Sequence, residues 1–90
     1  MGEDLPKDKY FELAKPYIKR GEINDLFQLY SYVPKKSVAQ GLGLNSSSFS
    51  NFKSNHPEDF KVKELIKLAE LLDVDVKIVF DIFLRSIADQ

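Results

Sequence analysis

Apolar side chains recur at intervals of three and four along most of this chain, the spacing that gathers them on one face of a helix. Within residues 5–20 they are Tyr10, Leu13, Ala14, Tyr17 and Ile18, which predict a first helical region. Pro16 falls inside it and clashes with the preceding turn, so a kink or a short helix restarting at Pro16 is expected. Gly21 supplies the stop. Ile23, Leu26, Phe27, Tyr30 and Val33 form the stripe of a second helix, and Pro34 ends it or opens the next one at its first position. Residues 35–42 predict a short helix with Val38, Ala39 and Leu42 inward. Gly43, Leu44 and Asn45 make a turn, a further helix runs over about 46–54, and NHPEDFK follows as a loop. Val62, Leu65, Ile66, Leu68, Ala69 and Leu72 define the next helix, with Lys61, Lys63, Lys67 and Glu70 outward. Asp75 suits the N-cap of a last helix. That helix carries Val76, Val79, Phe80, Phe83, Leu84 and Ile87 on one stripe, and Ile78 and Ile82 on a second.

No alternating run is long enough for a strand, so the pattern predicts an all-α fold of five or six short helices. Residues 1–22 read as a helical extension joined to a main unit over 23–90, the two forming one compact domain. Ninety residues with a hydrophobic share of 43% suffice for one core without staples.

Composition narrows the chemistry. Cysteine is absent, which removes disulfides, thiolate metal sites and cysteine nucleophiles and suits a reducing cytosol. The single histidine, His56, cannot furnish a two-histidine zinc site, and neither metal nor cofactor is expected. A Ser-His-Asp hydrolase could draw on His56, Asp59 and the serines nearby, but no nucleophile elbow accompanies them, so no enzyme is expected. No apolar run approaches the ~18 residues that span a bilayer, and MGEDLPKDK lacks the apolar centre of a signal peptide. A cytoplasmic protein without membrane contact is the expectation.

The net charge of −1 hides a polarised distribution. Residues 26–57 hold no acid and three lysines, Lys35, Lys36 and Lys53, while all 14 acids lie elsewhere.

The stretch SVAQGLGLNSSSFSNF, residues 37–52, sits inside that basic window. Two helices that cross at a tight turn need a small residue at the crossing and, four places on, one that tolerates positive φ. Ala39 and Gly43 fill those places, and Val38, Leu42, Leu44, Phe49 and Phe52 supply apolar groups to seal the pair. The spacing matches a helix-turn-helix.

KKSVAQGLGLNSSSFSNFKSN, followed by ELIKLAELLDVDVKIVF, resembles the Cro and phage-repressor type helix-turn-helix family, also called the xenobiotic-response-element family. The resemblance covers about residues 23–83 and implies a phage-repressor-like domain whose second helix enters the major groove of double-stranded DNA. It places Ser46, Ser47 and Asn51 at base edges and Lys35 against phosphate, with Ser50 and Ser54 near the sugar-phosphate wall. Lys36 and Lys53 join Lys35 as backbone contacts. Short polar groups at 46–54 are then groove chemistry bought with helix propensity.

Departures from the family pattern bear on specificity. Serine stands where Gln or Arg often reads bases, Lys35 where Gln is usual, and Phe49 where Val or Ile is commoner. Modest or shape-led specificity follows. Three lysines per chain call for a dimer, and the two apolar stripes of residues 76–87 offer its surface. The implied role is a DNA-binding transcriptional regulator. The alternative keeps the fold without the DNA, as a protein-interaction module using the acidic outer surface and the apolar last helix.

Overall fold

The computed structural model describes residues 7–88, and among them every regular element is helical. The expected start of the first helix at residue 5 lies outside that range. Six α-helices follow in order: α1 Lys7–Lys19, α2 Leu26–Leu29, α3 Lys35–Leu42, α4 Ser46–Asn51, α5 Val62–Leu72 and α6 Val76–Ala88. Two 3₁₀ turns, Lys53–Asn55 and Pro57–Asp59, carry the chain from α4 to α5. No helix of the described residues is long and apolar enough to cross a membrane.

α1 runs through Pro16 as one continuous helix, so the restart expected there does not occur. Phe11, Ala14 and Ile18, on both sides of the proline, are buried, while Glu12 and Pro16 are exposed. The lost backbone bond therefore falls on the solvent side, and core burial on both sides keeps the helix continuous. At Gly21, with φ +77°, the chain turns as Gly21 N–H donates to Ile18 O and Glu22 N–H to Tyr17 O.

α2 is far shorter than the stripe from Ile23 to Val33 suggested, although Ile23, Leu26, Leu29 and Val33 are all buried. Backbone groups that a longer helix would have used are taken by α6. Ser86 Oγ accepts from Leu26 N–H at 2.8 Å and donates to Ile82 O at 2.7 Å. Arg85 Nε donates to Asn24 O at 2.8 Å, and Asp25 caps the helix by accepting from Gln28 N–H.

α5 buries Leu65, Leu68, Ala69 and Leu72 and ends at Asp73, which adopts φ +57° and pairs with Lys15 of α1. That partner holds the Asp73 carboxyl below its ordinary pKa through a hydrogen bond and its charge. Asp75 does accept from Lys77 N–H at 2.8 Å, as an N-cap of α6 should. The stripes of α6 divide differently from expectation. Val79, Ile82 and Ser86 face the core, while Leu84 and Ile87 are 57% and 39% exposed.

Candidate functional site

α3 and α4 meet at the three-residue turn Gly43, Leu44 and Asn45. Gly43 takes φ +75°, and Leu44 N–H reaches back to Ala39 O at 2.8 Å, closing the end of α3. A Cβ on Gly43 would touch nothing, so glycine is required there by backbone conformation alone. Asn45 then caps α4 by accepting from Ser48 N–H at 2.9 Å. Ala39 and Val38 are buried beneath the crossing. From α4 only Phe49 enters the core, edge-on to Tyr30 and Phe60 with ring centroids 6.0 and 5.9 Å away. Tyr30 hydroxyl is enclosed without a hydrogen-bond partner, and burial raises its pKa above the ordinary value.

Gly41 has a different reason to be glycine. A Cβ there would lie 2.8 Å from Leu71 Cδ1 and 3.3 Å from Phe11 Cζ. Its bare backbone lets α3 press against α1 and α5, which fixes the helix pair on the body of the protein.

The outer side of α4 is polar and open. Ser47, Ser48 and Asn51 are exposed, and Ser46 and Ser50 are half-buried at its edges. Helical spacing places Ser47 and Asn51, four apart, near the centre of this face. Phe52, expected to seal the pair, is instead 65% exposed at the end of α4. Leu42 and Leu44 are half-buried against the core.

The lysines separate into distinct settings. Lys36 is exposed, and Lys35 is half-buried with Nζ 5.6 Å from the Tyr30 ring centroid. Lys53 does not extend freely into solvent: its Nζ donates to both carboxylate oxygens of Glu64 at 2.8 Å. Burial acts to raise the Glu64 pKa, but the bond from Lys53, another from Lys61 N–H and the lysine charges outweigh it and lower the pKa. Ser54 is also misplaced by expectation. It is 1% exposed and donates to Ser50 O at 2.9 Å, so it closes the end of α4 from inside.

Three lysines not counted among the site residues stand beside the turn. Lys61, Lys63 and Lys67 line a cleft of about 360 Å³ with Gly43 and Leu44. Lys67 lies 3.8 Å from Glu70, and all three are exposed. In sequence they read as the solvated face of α5; only the packing of α5 against α3 brings them to the turn. Asp59 lies in a second cleft, of about 320 Å³, with Asn45, Ser48 and Phe52. His56 is exposed, with Nδ1 3.3 Å from Glu58. No group of three potential metal ligands occurs among the described residues.

The chain matches no family model, and no curated protein or solved structure is significantly similar to it.

Proposed function

We propose that this chain binds double-stranded DNA by laying α4 in the major groove, and acts as a cytoplasmic transcriptional regulator. The observation that carries the reading is the exposed polar face of α4, held out from the body by the αL turn at Gly43 and anchored beneath by Phe49. A helix is about 10–12 Å across with its side chains, which matches the ~12 Å width of the major groove. Ser46, Ser47 and Asn51 face base edges in this reading, and Ser50 borders the wall of the groove. Serine and asparagine are short, which brings the backbone of α4 close to the groove floor.

Phosphate contact falls to Lys35, Lys36, Lys61 and Lys63. Lys53 leaves the set because Glu64 neutralises it, and Ser54 leaves because it is interior. Each neutralised phosphate steepens the fall of log K with log salt by about 0.9. A homodimer through α6 doubles that slope, and the exposed Leu84 and Ile87 favour such contact.

Fluorescence anisotropy with a labelled pool of random-sequence duplexes, titrated over a series of salt concentrations, tests this reading. Saturable binding is expected, with a slope that falls by about 2 per subunit in the Lys61→Gln/Lys63→Gln variant. Absence of binding at low salt sinks the proposal. The same exposed residues of α6 favour a second reading, a protein-interaction module. Failure to bind DNA, together with self-association that is lost on changing Leu84, would point to it.

A further inference from the structure

We infer that Phe52 reads the 5-methyl group of thymine in the major groove. This inference rests on the DNA reading above and deepens it by naming a base that the protein selects. Phe52 is 65% exposed, while Phe49, one turn earlier, fills the interior. Its backbone is held, because Phe52 N–H donates to Ser48 O at 2.9 Å and closes the last turn of α4. Phe52 caps α4 just beyond Asn51 and borders a cleft with Asn45 and the exposed Ser48, beside the polar face.

The edges that adenine, guanine and cytosine present in the major groove are hydrogen-bond donors and acceptors, and thymine alone adds an apolar group, its methyl. An exposed aromatic ring on a groove-reading surface has that one apolar target. The serines at 46, 47 and 48 supply hydroxyls too small to hold the backbone off, and the Phe52 ring is a longer side chain than any of them. Serine discriminates weakly among bases; a methyl contact adds a preference that these hydroxyls do not provide.

The test uses duplexes enriched from a random-sequence pool by repeated capture on the intact protein, then resynthesised with deoxyuridine at each thymine in turn. Deoxyuridine keeps every hydrogen-bonding group and removes only the methyl. Wild type is expected to lose about fourfold in affinity for each contacted thymine, the equivalent of one methylene left unburied. Phe52→Ser is expected to bind the thymine and deoxyuridine duplexes equally, with an unchanged circular dichroism spectrum. Salt-sensitive binding that ignores the methyl in wild type overturns this inference and leaves the DNA reading standing. Equal methyl sensitivity in wild type and Phe52→Ser also overturns it, by assigning the contact to another residue. If no duplex is enriched, the DNA reading falls and this inference with it.

Discussion

Gly43 and Glu64 show two ways in which a single side chain governs this site. At Gly43 the requirement is local: φ of +75° is open to glycine and costs another L-residue about 1–2 kcal/mol. Gly43→Ala should therefore lower unfolding free energy by roughly that amount in urea titration, and Gly43→Asn by less, because asparagine tolerates the same region. Such an offset of four residues from Ala39 is readable in the sequence because it depends on nothing farther away. At Glu64 the requirement is tertiary. Its pKa lies below the ordinary 4.5 in the folded chain, so the folded state releases this proton more readily than the unfolded one. The stabilisation is complete above the ordinary value and disappears as pH falls through the lowered one. Chemical melts of wild type should lose stability over that acid range more steeply than those of Glu64→Gln. The partner responsible, Lys53, is 11 residues away on a separate element. Nothing in its local pattern distinguishes it from a phosphate-binding lysine.

At the scale of elements, the ends of helices decide what periodicity leaves open. Residues 46–54 read as one helix, which would turn Ser54 toward solvent, yet α4 stops at Asn51 and the 3₁₀ turn Lys53–Asn55 follows. The changed rotation per residue carries Ser54 inward. α2 shrinks to one turn for a related reason, since Ser86 and Arg85 of α6 claim its flanking backbone groups. In α3 the intrinsic cost of Gly41 is offset by the close approach of Leu71 and Phe11. Gly41→Val should destabilise the protein by about 1–3 kcal/mol, as overpacked cores do, measured as a lower urea midpoint. An equal or higher midpoint would show that α3 has room to spare.

Across the whole molecule, the folded chain regroups charge that sequence order keeps apart. Lys61 and Lys63 lie outside the acid-free window of residues 26–57 but stand at the edge of the Gly43 turn, whereas Lys53, inside the window, is spent on Glu64. α6 likewise presents Leu84 and Ile87 to solvent, with Phe80 and Phe83 half-buried beside them. If these form the homodimer surface, Leu84→Glu should convert a dimer into a monomer by sedimentation velocity with little change in thermal stability, because the side chain is exposed in the single chain. It should also halve the salt slope of DNA binding. A wild-type monomer at the concentrations that bind DNA would remove the dimer from the proposal.

Taken alone, the order of residues determined the all-α class, the α3 and α5 boundaries, and the turn between α3 and α4. These follow from periodicity, capping and glycine sterics, which act over a few neighbouring positions. Tertiary structure alone decided that α1 continues through Pro16, that Ser54 and Lys53 turn away from the open face, and that Phe52 remains in solvent. The first two depend on burial or pairing with a residue from another element, and the last on where α4 stops; none of these has a signature in local sequence spacing.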